Sequence, residues 1–345
     1  MRTFDGYKKG VNLGGWISQC VSYEKEHFET FITEDDIKTI SQWGLDHVRL
    51  PIDYDIIADD DGEFIPYGIE LIDRCISWCE KYNLNIILDL HKTKGYMFDC
   101  HVVHSALLFF DDDNLQRYFI DLWTKLAKKY GNRPANISFE LLNEITDPCI
   151  SDKWNLIAKR TISAIRKYAP DTHILIGGTR YNAAISIPEL DEPYDDLIVY
   201  NFHCYEPFLF THQAAHWVDY MPADFKAGWP DTIESYKEKV KQFDLNLMGA
   251  ILDIDCQKVG PELFELVFES ALKTAEERNV PLYCGEYGVI DKAQSPDILA
   301  WFKDINSVFE KHGISRAAWN YKDKDFGLSD EEVYKNILPE LVKYL

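Results

Sequence analysis

Eight short apolar runs, separated by longer amphipathic stretches, constrain this chain more than any other feature of its sequence. They are GVNLGGW (10–16), DHVRLPI (46–52), NIILDLH (85–91), NISFELLNE (136–144), HILIGG (173–178), LIVYNFHCY (197–205), PLYCGEYG (281–288) and AAWNY (317–321). Most are too continuously apolar for a strand with one face in water, so they read as strands buried on both faces, the condition of a parallel sheet. Parallel neighbours need a crossover. Segments 33–43, 67–82, 114–130, 151–168, 261–278, 297–311 and 330–344 supply it, with apolar residues at helical spacing. The first opens with Thr33 and Asp36 spaced as a capping box. Only the link between the fifth and sixth runs, 181–196, gives no clear helix.

This alternation predicts an α/β chain closed as a (β/α)8 barrel, a single catalytic domain over 1–345. An open doubly wound sheet is the rival. It would often carry a glycine-rich dinucleotide turn, and GVNLGGW has the wrong spacing. One link is oversized: 75 residues separate Tyr205 from Pro281, against 32 between Ile52 and Asn85. Residues 206–260 are therefore expected to form an insertion or subdomain at the catalytic face. Its aromatics (Phe208, Phe210, Trp217, Tyr220, Phe225, Trp229) suit a cleft wall; the plainer reading is a helical excursion with a small core of its own.

Composition excludes several partners. A net charge of -22 repels phosphate backbones, so no nucleic acid is expected. No apolar stretch reaches the 18 or so residues of a membrane span, and MRTFDGYKKG lacks the apolar core of a secretory leader. A cytoplasmic monomer is expected, secreted only if a leader was removed. The 8 cysteines (20, 75, 79, 100, 149, 204, 256 and 284) include no C-x-x-C pair, and a chain this large needs no disulfide scaffold, so reduced thiols are expected. The abundance of Trp (9) and Tyr (20) suits flat, partly apolar ligands such as sugars.

Polar residues at the ends of barrel strands converge on the mouth, where barrel chemistry resides. Here those ends carry Arg49, His91, Asn143, Glu144, His203, Tyr205, Glu286 and Trp319. Glu144 ends the fourth run and Glu286 lies in the seventh, facing each other across the barrel. Glycoside hydrolysis needs such a pair, one carboxyl protonating the leaving oxygen and the other attacking or activating water; about 5 Å between them means retention and about 6.5–9.5 Å inversion. Arg49 beside Glu286 would favour its carboxylate, and that charge would keep Glu144 protonated. Tyr205 is placed to donate to Glu286, Asn143 to bind a sugar 2-OH, and Trp319 to floor the sugar ring.

No metal or other cofactor is expected. His212 and His216 are four apart, but HQAAH lacks the glutamate of a zinc helix and reads as a plain helical face. His101 and His104 have no acidic or Cys partners at ligand spacing. The sequon at Asn136 falls in the fourth run and reads as silent in a buried strand.

Taken in order, GVNLGGW, HVRLP, ILDLH, FELLNE, YNFHCY, YCGEYGV and AAWNYK resemble glycoside hydrolase family 5 over the whole chain. The resemblance implies a retaining mechanism with Glu144 as acid/base and Glu286 as nucleophile. It implies supporting roles at Arg49, His91, Asn143, His203, Tyr205 and Trp319, and no cofactor. Its implied substrate is β-1,4-glucan, mixed-linkage β-1,3-1,4-glucan or cello-oligosaccharide. The chain departs from many relatives at Lys92, where a second His is common, and at Ile145, where Pro often follows the acid/base. GVNLGGW also resembles the fungal exo-β-1,3-glucanase branch, which keeps exo-β-1,3-glucanase or β-glucosidase action as the alternative. A non-catalytic glucan-binding barrel would not need both glutamates. A phosphate-handling barrel would want a glycine-rich anion site where this chain has EYG and WNYK.

Overall fold

A computed structural model describes residues 1–98, 107–218, 221–241 and 259–345. Eight parallel strands close in sequence order: β1 (Lys9–Asn12), β2 (His47–Asp53), β3 (Asn85–Lys92), β4 (Ile137–Glu140), β5 (Ile174–Gly177), β6 (Ile198–Cys204), β7 (Leu282–Tyr287) and β8 (Ser315–Ala318). Pairing of Val11 with both Val48 and Ala318 closes the ring. Crossover helices α1 (Glu34–Gln42), α2 (Pro66–Lys81), α3 (Asp113–Tyr130), α4 (Ser151–Ile165), α5 (Pro261–Glu277) and α6 (Ser295–His312) pack outside. Local sequence sets their starts. The predicted box at Thr33 forms, with the Thr33 N–H donating to Asp36 Oδ2 at 2.8 Å. Asp112 caps α3 by accepting from the N–H groups of Asn114 and Leu115.

Several expectations need correction. The fourth strand stops at Glu140, so Glu144 stands on the loop beyond it. That loop is still tied to its neighbours, through Leu141 N–H to the Leu175 carbonyl and Asn143 N–H to that of Leu90. The first and eighth strands end at Asn12 and Ala318, short of Trp16 and Tyr321. Asn136 is exposed because β4 begins only at Ile137, so burial does not silence the sequon. The C-terminal helix is two short pieces, Glu332–Lys335 and Leu338–Leu341; Pro339 cannot donate to the preceding turn.

Between β5 and β6 no full helix forms. Arg180, Tyr181 and Asn182 take left-handed φ of 54°, 57° and 57°, and a 3₁₀ turn follows at Ala184–Glu189. The expected helical face at His212 is also absent: the short helix Phe208–Thr211 ends before it, and Ala214 is left-handed. His212 instead stacks on Phe208, ring centroids 4.2 Å apart, and burial pushes its pKa down to about 3; His216 is exposed. His101, His104, Tyr220, Cys100 and Cys256 lie outside the described residues, as does 242–258 of the insertion. The six described cysteines are free thiols.

The period of two along each strand sorts the barrel interior into levels. On β3, Ile87, Asp89 and His91 share one face; on β6, Val199, Asn201 and His203 do. The lowest level is an apolar plug of Phe4, Tyr7, Ile87, Leu175, Val199, Tyr283 and Ala317. Above it lies a buried polar level of Asn12, Arg49, Asp89, Glu140 and Asn201, and above that the mouth.

Candidate active site

Arg49, in mid-β2 and fully buried, organises the site. Its Nε and Nη2 donate to the two oxygens of Glu140, both at 2.7 Å. Nη1 donates to Glu286 Oε1 at 2.7 Å and to Asn12 Oδ1 at 2.9 Å, and Nη2 to Asn143 Oδ1 at 2.9 Å. Asp89 Oδ2 lies 3.0 Å from Nη2. A fork of donors in one plane lets a single cation hold carboxylates from three strands in fixed positions.

The predicted residues come together at the mouth. Glu286 accepts from the Tyr205 hydroxyl at 2.9 Å as well as from Arg49. Glu144 Oε1 lies 2.8 Å from His203 Nδ1, which is 3.7 Å from Glu286 Oε2. One carboxylate oxygen of Glu144 and one of Glu286 lie within 4.8 Å of each other. The loop carrying Glu144 is pinned by Tyr96, whose hydroxyl donates to the Glu144 carbonyl at 2.7 Å and accepts from Thr146 N–H at 3.0 Å. Trp319 stacks nearly parallel on His91, at 8° and 5.9 Å. Gly14 makes room for it, since a Cβ there would stand 2.4 Å from Trp319 Cη2.

Burial pushes Glu144 well above the usual carboxylate range, and the charge of Glu286 adds to the shift. Burial also raises Glu286, but Arg49 is the largest influence opposing it, with the Tyr205 hydrogen bond helping. The two environments are thus unequal: both carboxyls are raised, Glu144 further, and the cation sits on Glu286. His91 and His203 are driven down by burial, His91 to about 4, so both rings are neutral. Glu144, His203 and Glu286 converge closely enough to touch one ion, but two neighbouring carboxyls with divided protons suit acid–base work equally well.

Four groups escaped the sequence reading: Asn12, Asp89, Glu140 and Asn201. Asn201 Nδ2 donates to Glu140 Oε1 at 2.8 Å. The signal was present. Asp89 in NIILDLH and Glu140 in NISFELLNE are charges inside apolar runs, at even spacing from His91 and Ser138 respectively, and such residues are costly to bury unpaired.

A closed parallel barrel with a buried, unequally tuned carboxyl pair at its mouth defines the class of barrel glycoside hydrolases. The cellulase (glycosyl hydrolase family 5) model matches residues 5–325, and the chain belongs to that family. It is 45% identical to cellodextrinase A of Ruminococcus flavefaciens over 311 residues, 90% of this chain and 84% of the relative. It is 42% identical to endoglucanase C of Acetivibrio thermocellus over 342 residues, 98% of each. The solved endoglucanase Cel5A of Thermotoga maritima shares the fold at a TM-score of 0.75 and 22% identity, over 97% of each chain.

Proposed function

We propose that this hydrolase is a retaining endo-β-glucanase acting on β-1,4 linkages, in glucan, mixed-linkage β-1,3-1,4-glucan or cello-oligosaccharides. The observation that carries this reading is the approach of the Glu144 and Glu286 oxygens to within 4.8 Å. That is near the roughly 5 Å of retaining pairs and short of the about 6.5–9.5 Å of inverting pairs, which supports retention. Glu144 gives its proton to the glycosidic oxygen as the bond to the anomeric carbon breaks, and Glu286 bonds to that carbon. The leaving sugar departs as an alcohol. Glu144, now a carboxylate, takes a proton from water whose oxygen attacks the same carbon and frees Glu286. Asn143 reaches the sugar 2-OH and Trp319 supports the ring.

The names of the two relatives, an endoglucanase and a cellodextrinase, support a β-1,4-glucan substrate and differ on chain length. Residues 206–260 bear on that choice. Phe208 and Trp217 pack on His212, which in turn packs on Tyr205 and Phe326, and this supports reading the cluster as one wall of the cleft. Sizing the products of mixed-linkage β-glucan over time tests the reading. A fast fall in chain length with mixed short products is expected, and the first-formed anomer, read by proton NMR, should be β. Slow release of glucose from nearly intact polymer would favour exo action and bring β-1,3-glucan forward, and an α product would overturn retention.

A further inference from the structure

Asp89 lies below the mouth and touches neither carboxyl of the pair, yet its contacts bear on a group that does face the ligand. Its Oδ2 is 2.6 Å from His91 Nδ1 and 3.0 Å from Arg49 Nη2. Its Oδ1 is buried with no hydrogen-bond partner among the described residues. Burial lifts Asp89 to about 7, with Arg49 opposing. Any proton it holds belongs on Oδ1, because a proton on Oδ2 would face both the guanidinium and the imidazole. Oδ2 is an acceptor in either state, so His91 carries its proton on Nδ1 and presents a lone pair at Nε2. That lone pair lies 3.3 Å from Asn143 Nδ2. The other side of the Asn143 amide is fixed too, since Oδ1 accepts from Arg49 at 2.9 Å. Flipping the amide would set its oxygen against a lone pair and its N–H groups against a cation. One of the two Nδ2 hydrogens is used on His91, and the second is left for a ligand.

We infer that Asp89 is a positioning residue: by fixing the tautomer of His91 it locks the Asn143 amide with an N–H aimed at the sugar 2-OH. The inference rests on the proposed glycosidase reading, in which Asn143 binds that hydroxyl. A donor held in place before the reaction contributes more than one that must be reoriented, and a misplaced group costs on the order of a hundredfold.

The test compares kcat/KM on an aryl β-cellobioside and on its analogue lacking the 2-OH of the sugar next to the aryl group. The wild type and Asn143→Ala establish the parent reading: Asn143→Ala should lose far more on the full substrate than on the deoxy one. If it does not, the glycosidase reading of Asn143 fails, whatever Asp89 does. Given that result, Asp89→Ala should lose about ten- to a hundredfold on the full substrate and little on the deoxy analogue. Asp89→Asn, which keeps an acceptor oxygen, should recover most of the loss, and the Asp89→Ala/Asn143→Ala double variant should be no worse than Asn143→Ala alone. Equal losses on both substrates would mean general damage and overturn the inference. Should Asp89→Ala not fold, nitrogen NMR of histidine-labelled wild type decides: a proton on His91 Nδ1 upholds the inference, and one on Nε2 overturns it.

Discussion

Tyr205→Phe isolates one hydrogen bond on the proposed nucleophile. The ring is held independently of its hydroxyl, edge-on to His212 at 5.0 Å and near Phe326 at 5.9 Å, so the change removes an oxygen and leaves the packing. That hydroxyl donates to Glu286 Oε2 at 2.9 Å and favours the ionised carboxylate. A buried hydrogen bond to a charged group contributes about 1.5–3 kcal/mol. At about 1.4 kcal/mol per pKa unit, losing it raises Glu286 by roughly 1–2 units. Glu286 must be ionised to attack, so the acid limb of kcat/KM, which reports the free enzyme, should move up by that amount. Initial rates on an aryl β-cellobioside across the pH range measure it directly. On the shifted limb the variant should be about ten- to a hundredfold slower than wild type, with a smaller deficit on the plateau. An unmoved acid limb would refute the argument that Tyr205 helps hold Glu286 ionised.

Other consequences are as direct. Glu286→Gln should abolish turnover while circular dichroism and thermal unfolding stay close to wild type; near-normal activity would remove Glu286 as nucleophile. Gly14→Ala should drive the Trp319 indole out of place, because the new Cβ would stand 2.4 Å from it, and lower kcat/KM by about tenfold or more with an altered tryptophan emission. Burial lifts Glu140 from 4.5 to about 7 despite Arg49, so the folded state keeps a proton that the unfolded chain releases above about 4.5. Wild-type stability relative to Glu140→Gln should therefore fall as pH rises from about 4.5 to 7 and level off above, in denaturant melts at successive pH values; a difference that does not vary with pH would contradict it.

The barrel was legible because buried parallel strands impose a pattern that few other folds share. Boundaries were less so. FELLNE reads as one run, yet its hydrogen bonds thin out after Glu140, and the acid/base stands on a loop pinned by Tyr96, a contact from 48 residues away that sequence spacing does not record. The left-handed turn at Arg180–Asn182 contains no glycine and left no mark. HQAAHW has helical spacing, but burying His212 on Phe208 prevailed over continuing the helix. At the mouth every proposed group was visible, because charge at the end of an apolar run is hard to explain otherwise. Beneath it, Asp89 and Glu140 lie inside apolar runs, and sequence alone does not show that Arg49, beside Glu286, reaches them as well.

The hub at Arg49 also bears on how the molecule is assembled. Its partners come from β1, β3, β4 and β7, and its reach to Glu286 spans 237 positions of sequence. No partial barrel can satisfy it. A folding chain that has formed β1 to β4 can already seat Asp89 and Glu140 on Arg49, but Glu286 waits for β7. The arrival of β7 thus completes the set of carboxyls around Arg49, and loops closed over such distances are slow to form. Recovery of activity on refolding should follow ring closure and lag behind the return of helical signal. A chain cut before β7 keeps Arg49 and Glu144 but lacks Glu286 and Trp319.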